Sequence, residues 1–145
     1  MNKYRIALLT CFLLALCAFP AMAQGQKLSP EEEAKQLREG IDREIDRLTT
    51  LLDLEDWQVF YVDSTLTYNY EALIAGRNTL QQAKVSNPDL YYLNADKWNE
   101  ATYVQFQKIF TERQWQKYLR GGAGKEKKAR DKRAEKIVAA TNKQK

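Results

Sequence analysis

Four carboxylates lie close together in the first half of the chain, and they are the residues best placed for chemistry. They are Asp53, Glu55, Asp56 and Asp63. A pair of carboxylates can act as general acid and nucleophile in glycoside hydrolysis. However, acidic residues near a helix N-terminus already stabilise the helix through its dipole, and a helix is expected to begin here. We therefore expect a structural role for this cluster and predict that the protein is not an enzyme.

The chain contains no histidine, and its two cysteines, Cys11 and Cys17, both lie near the N-terminus. Without histidine it lacks the commonest general base, the commonest metal ligand and the usual pH switch. Nucleophile pairs of the Ser-His and Cys-His type, and zinc sites built from these residues, are therefore excluded after residue 23. We predict no catalytic residue, no metal and no cofactor.

Residues 1–23 have the pattern of a cleavable signal peptide. Lys3 and Arg5 precede an apolar stretch of 14 residues, and residues 21–23 form a small-x-small cleavage site. A membrane-spanning helix needs roughly 20 apolar residues, so this stretch is too short to span a bilayer. We predict cleavage before Gln24 and secretion of the remaining chain.

Anchoring as a lipoprotein through Cys17 is the competing interpretation of this segment. Bacterial lipoprotein signals usually place a small residue immediately before the cysteine, whereas this chain has Leu16 there. Lipid anchoring is therefore disfavoured. The expected location is the periplasm, and the sequence leaves retention there and export from the cell both open.

The segment from Phe110 to Trp115 has the features of a helix N-terminus. Thr111 and Gln114 have the spacing of a capping box, in which each side chain accepts a hydrogen bond from the backbone N–H of the other residue. Phe110 and Trp115 occupy the two positions of a hydrophobic staple. The sequence therefore predicts a helix that starts directly after Thr111.

A weaker copy of this pattern occurs at Leu54, Glu55 and Gln58, with Val59 in the staple position. Glu55 replaces the threonine and is a poorer N-cap. Asp56 could take over the cap through a shift of one residue, which would remove Gln58 from its reciprocal position. The motif residues are expected to be structural caps; they are Leu54, Gln58, Phe110, Thr111 and Gln114.

The first half of the remaining chain predicts two helices. A capping box at Ser29 and Glu32 starts a helix that ends near residue 52. The β-branched and aromatic residues 57–62 favour a strand by propensity, but they continue in helical spacing without a turn signal. We therefore predict a second helix from there to about residue 83.

The second half predicts two or three further helices. Residues 86–89 form a turn or a new helix start, and residues 90–93 form a short apolar patch. A helix is expected over residues 96–110, followed by a short one that ends near residue 120. The predicted fold is all-α, a small helical bundle or cradle of four to five helices.

A glycine-rich segment separates a basic C-terminal tail from the rest of the chain. Residues 121–124 are expected to stop the preceding helix and to act as a flexible joint. Residues 24–120 form the predicted helical domain, and residues 121–145 form a linker with a mobile, partly helical tail. The charge is uneven, because residues 24–119 carry a net charge of −5 and residues 120–145 carry +7.

Six basic residues of the tail are candidate binding residues: Lys125, Lys127, Lys128, Arg130, Lys132 and Arg133. The tail is expected to solubilise the protein, or to dock on an anionic membrane surface or an acidic partner. Each cation near a charged membrane contributes about 1 kcal/mol. Nucleic acid is not expected as a partner of a secreted protein, although the charge alone would allow it.

This arrangement resembles the Spy/CpxP family of periplasmic chaperones, whose members carry a Leu-Thr-x-x-Gln motif twice. The segment from Phe110 to Gln114 matches it with phenylalanine for leucine, and the first copy matches at Leu54 and Gln58 only. The resemblance covers residues 29–119. It implies a small helical cradle, often dimeric, that holds unfolding clients without ATP or docks on an envelope stress sensor. Some relatives bind zinc through histidines, which this chain lacks.

Thirteen aromatic side chains follow the signal peptide, and a thin bundle of about 90 residues cannot bury all of them. An exposed aromatic face would suit contact with unfolded chains or with a second copy of the protein. Eight residues are the candidate client or dimer contacts: Trp57, Tyr61, Tyr68, Tyr70, Tyr91, Tyr92, Trp98 and Trp115.

We therefore expect an ATP-independent periplasmic chaperone-like or envelope-stress binding protein that captures apolar segments of unfolded clients. A homodimer is among the expected assemblies. One alternative is a dedicated interaction or regulatory protein for one envelope partner. The other is a lipid-surface binder that uses the basic tail.

Overall fold

The computed structural model of the chain describes residues 29–142, so the predicted signal peptide lies outside the described residues. Within that range the protein is all-α, as predicted, and has no strand. Five α-helices follow one another, and a π-helical turn, Leu119–Ala123, joins the last two. The helices are α1 (Pro30–Leu52), α2 (Asp56–Gln82), α3 (Pro88–Ile109), α4 (Glu112–Tyr118) and α5 (Gly124–Asn142).

The chain divides into two compact units between Glu33 and Ala34. In the first unit, Ser29 and Glu32 form the predicted capping box. The N–H of Ser29 donates to Glu32 Oε2 at 2.9 Å, and the N–H of Glu32 donates to Ser29 Oγ at 3.2 Å. These hydrogen bonds lower the pKa of the Glu32 carboxyl below its ordinary value. The core and the surfaces described below belong to the second unit.

The second unit has a hydrophobic core to which α1, α2, α3 and α4 all contribute. On α1 the buried residues recur at spacings of three and four, so one stripe of that helix faces the core. Burying each large apolar side chain contributes roughly 1.5–3 kcal/mol. The core residues are Ile41, Ile45, Leu48, Leu52, Val62, Leu66, Phe106, Phe110 and Trp115.

α2 is a continuous helix through the segment whose composition favours a strand. Its buried residues Val62, Leu66 and Asn69 follow helical spacing. Because this stripe packs against the core, tertiary contacts outweigh the strand propensity of the neighbouring aromatic and β-branched residues. The prediction of a helix here is confirmed.

α3 begins at Pro88, earlier than the predicted start at residue 96. Asn87 is its N-cap, and the Asn87 side chain accepts from the N–H of Asp89 at 2.9 Å. Proline suits this position because its fixed φ is helical and the N–H that it lacks would have no partner in the helix. The apolar residues 90–93 are therefore part of α3. Of the two alternatives for residues 86–89, the new helix start is confirmed, and the predicted start at residue 96 was wrong.

α2 and α3 pack against each other through polar side chains as well as apolar ones. Asn69 Nδ2 donates to Thr102 Oγ1 at 3.0 Å, and Asn94 Nδ2 donates to the carbonyl of Leu73 at 2.8 Å. A Cβ atom at Gly76 would collide with the amide of Asn94. Glycine at this position therefore allows the two helices to approach closely.

The glycine-rich segment redirects the chain between α4 and α5. Gly122 has a φ of 122°, which glycine adopts at no steric cost and other residues avoid. After this turn, α5 continues to Asn142 and contacts α3 through ion pairs. The predicted partly helical tail is instead one continuous helix from Gly124 to Asn142, and cations on α5 face carboxylates on α3.

Candidate functional site

The two motif glutamines, predicted as separate helix caps, meet in the core. Gln58 Nε2 donates to Gln114 Oε1 at 2.8 Å, and Gln114 Nε2 donates to Gln58 Oε1 at 2.9 Å. Both residues are buried, and Gln58 is only 1% exposed. We call Gln58 and Gln114 the glutamine pair. A buried polar group without a hydrogen bond costs about 1–3 kcal/mol, so each amide needs the other.

Each member of the glutamine pair also completes the start of its own helix. Gln58 Oε1 accepts from the N–H of Glu55 at 3.1 Å, and Gln114 Oε1 accepts from the N–H of Thr111 at 2.9 Å. Glu55 is therefore the N-cap of α2, with Gln58 at the third helical position. The alternative register, with Asp56 as the cap, is wrong.

The same two amides bind the ends of two other helices. Gln58 Nε2 donates to the carbonyl of Ile109, the last residue of α3, at 2.9 Å. Gln114 Nε2 donates to the carbonyl of Asp53, the residue directly after α1, at 3.3 Å. The glutamine pair thus links two helix ends to two helix starts.

The apolar motif residues support the same junction. Phe110 and Trp115 lie in the core, and Leu54 and Val59 pack against it. These positions match the hydrophobic staples that the sequence predicts. The polar groups of the paired motifs bind helix ends and each other, and their apolar groups pack in the core, so their role in this structure is to hold the helices together.

Exposed aromatic side chains form a row along the outer face of α2. We call Trp57, Phe60, Tyr61 and Tyr68 the aromatic row, and these residues are 50 to 67% exposed. The ring centroids of Trp57 and Tyr61 are 6.3 Å apart, and those of Phe60 and Tyr61 are 5.5 Å apart. Three members were predicted contacts; Phe60 was missed, although its position three residues after Trp57 places it on the same side of a helix.

The other predicted aromatic contacts have different environments. Tyr92 is exposed, whereas Trp98 is half-buried with its ring 6.2 Å from that of Tyr68. Tyr91 is half-buried and donates its hydroxyl to the carbonyl of Val85 at 2.9 Å. Trp115 is a core residue and is therefore not an accessible contact.

Tyr70 lines a polar cleft with Tyr118, Glu44, Glu126 and Arg47 instead of joining the aromatic row. Burial, together with the charges of Glu44 and Glu126, raises the pKa of Tyr118 to about 12. The same causes raise the pKa of Tyr70 above its ordinary value. Both phenols are therefore neutral at physiological pH and can donate hydrogen bonds.

The acidic cluster has structural contacts. The Glu55 carboxylate accepts from the indole N–H of Trp57 at 2.9 Å. Asp63 Oδ1 accepts from Arg38 Nη1 at 2.7 Å. Asp56 lies in the first turn of α2, where the helix dipole favours a negative charge. Asp53 has a φ of 56° in the break after α1.

Three of the six predicted tail cations face the body of the protein. Arg133 binds Asp96 through two hydrogen bonds of 2.5 and 2.7 Å. Arg130 Nη2 lies 3.1 Å from Glu100 Oε2, and Lys127 Nζ lies 3.5 Å from Glu100 Oε1. We call Lys127, Arg130 and Arg133 the inner cations. They are engaged with α3 and are not available as a free basic surface.

The ring of Tyr103 strengthens the contact between α5 and α3. Arg130 lies 5.6 Å from its centroid and Lys127 lies 5.9 Å from it, within range of a cation–π interaction. Arg130 is only 8% exposed. Hydrogen bonding to Asp131, together with the charge of Glu100, raises the pKa of Lys127.

Comparisons with protein-family models, with curated proteins and with solved structures gave no match to this chain. Among the helices of residues 29–142, none has the length and apolar character required to cross a membrane.

Proposed function

We propose that the protein is an ATP-independent chaperone-like protein of the bacterial envelope that captures apolar segments of unfolded clients on the aromatic row. The observation that carries this proposal is the exposure of four large aromatic side chains on one helix. From Trp57 to Tyr68 they extend over about 16 Å along α2. An extended client segment of several residues would cover this length.

The chemistry of the aromatic row suits reversible capture of many sequences. Tyrosine and tryptophan present large apolar rings with a polar group at the edge, so they can contact varied partners without requiring one pattern of hydrogen bonds. Contiguous exposed apolar surface of this kind often marks a binding site. Asp56 and Glu71 are exposed on α2 beside the row, and their charge would help to keep a loaded complex soluble.

The proposal also includes a periplasmic location and membership of the Spy/CpxP family. The signal-peptide pattern of residues 1–23 supports secretion to the periplasm. The meeting of both glutamine motifs in one buried pair supports the resemblance to the Spy/CpxP family, because it gives both copies a common structural purpose.

Suppression of aggregation is the experiment that tests the proposal. The purified protein, without ATP, should suppress aggregation of two unrelated unfolding clients at near stoichiometric amounts. The triple variant Trp57→Gln, Phe60→Gln, Tyr61→Gln should require at least about fivefold more protein for the same suppression, because it removes three of the four rings of the row.

A matched variant controls for the general loss of apolar surface. Leu90→Gln, Leu93→Gln and Val104→Gln also replace three exposed apolar side chains, but on α3. This control should act like the unaltered protein. Equal loss in both variants would reject the aromatic row as the binding site. No effect of the unaltered protein on either client would favour a dedicated envelope partner, and the next experiment would be capture of that partner from an envelope fraction.

A further inference from the structure

The cations of α5 fall on two sides of the helix. The inner cations contact Glu100 and Asp96 of α3, as described above. Four lysines lie on the opposite side, at helical spacings of three and four, and all are exposed. We call this set the lysine ridge; it consists of Lys125, Lys128, Lys132 and Lys136.

The lysine ridge forms no ion pair within the described part of the chain. None of its four ammonium groups forms an ion pair or a hydrogen bond with a residue between 29 and 142, whereas all three inner cations do. The exposed residues that flank the lysines on this face are Ala129, Glu135 and Ala139. The ridge extends over about 16 Å of helix and presents four positive charges beside one carboxylate and small side chains.

We propose that the lysine ridge binds the surface of an anionic lipid bilayer, with α5 lying flat on the headgroups. Each lysine near such a surface adds about 1 kcal/mol of attraction, so four that can reach it together give significant binding. Between residues 125 and 136 this face has no large apolar side chain to insert into the bilayer. Binding is therefore peripheral, and it weakens as salt screens the charges.

The residue types favour lipid over other polyanions. All four ridge residues are lysine, a strongly hydrated point charge on a flexible stem, which suits a surface whose headgroups can rearrange. Arginine is the usual choice for two-pronged binding to a fixed carboxylate or phosphate, and the arginines of α5 at positions 130 and 133 face inward. The ridge also lacks the aromatic platforms that stack with bases of single-stranded nucleic acid.

The charge of the rest of the molecule gives this binding an orientation. Residues 24–119 carry a net charge of −5 and are repelled by an anionic membrane. The inner cations neutralise Glu100 and Asp96, the carboxylates of α3 that lie nearest to α5. The molecule would therefore approach the membrane with α5 first. This proposal is independent of the proposed function, since the lysine ridge and the aromatic row share no residue.

Flotation with lipid vesicles tests the proposal. The purified protein should float with vesicles of equal parts phosphatidylcholine and phosphatidylglycerol at low ionic strength, and not with vesicles of phosphatidylcholine alone. The ridge variant replaces all four lysines by glutamine. Since each lysine contributes about fivefold, this variant should lose at least roughly a hundredfold in partition to the anionic vesicles.

A control variant removes the same number of charges elsewhere on the molecule. It carries Arg77→Gln, Lys84→Gln, Lys108→Gln and Arg113→Gln, all at exposed positions outside α5. Circular dichroism should show unchanged helix content in both variants. The control should lose less than about fivefold in partition, because its charges are not gathered on one face.

Several results would overturn the proposal. These are absence of vesicle binding by the unaltered protein, equal loss in the ridge and control variants, and binding that high salt does not reduce. Ridge-dependent binding to a DNA duplex or to poly-glutamate, without binding to the vesicles, would assign the ridge to a different polyanion.

Discussion

Gln58 and Gln114 are buried in the core, although glutamine is usually exposed, because each amide satisfies the hydrogen bonds of the other. Each side chain has one acceptor oxygen and an amide nitrogen with two hydrogens. The oxygen accepts from a cap N–H and from the partner amide, and the nitrogen donates to the partner and to a distant carbonyl. The burial of both residues is therefore compatible with stability only while the pair is complete.

Replacement of either glutamine by methionine, which has a similar length, should destabilise the protein by about 2–4 kcal/mol. The change removes both hydrogen bonds within the pair, and it deprives a cap N–H and a helix-end carbonyl of the side chain that binds them. The double variant Gln58→Met, Gln114→Met should cost less than the sum of the two, because the second change removes an amide that has already lost its partner. Urea unfolding measures these free energies.

Gln116→Met is the matched control for this prediction. Gln116 is exposed on α4 and binds only Glu112 in the same helix, so its loss should change the unfolding free energy by less than about 0.5 kcal/mol. Additive effects of the two buried substitutions would contradict the coupling that the geometry indicates.

The sequence predicts both glutamine caps but not the contact between Gln58 and Gln114. The capping box explains the oxygen of each glutamine and leaves the two N–H groups of its amide without acceptors. Those donors need protein acceptors because both side chains are buried, and this burial was not predicted from the sequence. The partner could not be identified from the sequence, since Gln58 and Gln114 are 56 positions apart and only the tertiary fold brings them together.

Among the elements, the contact between α2 and α3 depends on Gly76 more than on any helix propensity. Alanine stabilises a helix interior by roughly 0.5–1 kcal/mol relative to glycine. At position 76, however, its Cβ would displace the Asn94 amide, which donates to the carbonyl of Leu73. The close approach of α2 and α3 therefore favours glycine at position 76, although helix propensity alone favours alanine.

Gly76→Ala should lower the unfolding free energy by about 1 kcal/mol or more, because the loss at Asn94 exceeds the helix gain. Gly40→Ala should instead raise it by up to about 1 kcal/mol. Gly40 lies within α1, and a Cβ there meets nothing closer than 4.0 Å. Thermal or urea unfolding of the two single variants measures both signs. Stabilisation by both substitutions would show that Asn94 moves aside without loss.

Helix starts that carry a local capping motif were predicted correctly, whereas features that depend on contacts distant in sequence were not. Capping boxes at Ser29 and Thr111 gave the starts of α1 and α4 correctly, because they are made by residues close in sequence. The start of α3 at Pro88 was one of two predicted alternatives for that segment. The contacts of α5 with α3 were missed, since they depend on Glu100 and Asp96, which lie in another helix.

For the whole molecule, charge determines how the C-terminal helix is used. The inner cations hold α5 against an acidic body, and the lysine ridge remains on the outer face. One helix thus binds the body through its inner cations and exposes the lysine ridge to solvent. The pI of 9.0 describes neither surface, because it averages a negative body with a positive helix.

Arg130→Gln should loosen α5 without unfolding the core. The substitution removes the most buried of the inner cations, together with its contacts to Glu100 and to the ring of Tyr103. Hydrogen exchange in residues 124–142 should accelerate several-fold, while exchange in α1 and α2 stays unchanged. Lys128→Gln, which removes one charge from the outer face of the same helix, should leave exchange unaltered. Equal acceleration in the two variants would contradict the division into inner and outer cations.

The exchange of hydrogen bonds in the glutamine pair has an evolutionary consequence. The Gln58 amide donates to the carbonyl of Ile109, and the Gln114 amide donates to the carbonyl of Asp53. Ile109 lies 56 positions after Asp53, and Gln114 lies 56 positions after Gln58. Each half of the protein supplies a helix-end carbonyl, a cap N–H and a glutamine amide. An ancestor half as long, paired with an identical copy of itself, would satisfy the same bonds. Duplication of one such half would therefore be sufficient to produce the present pattern of bonds within one polypeptide.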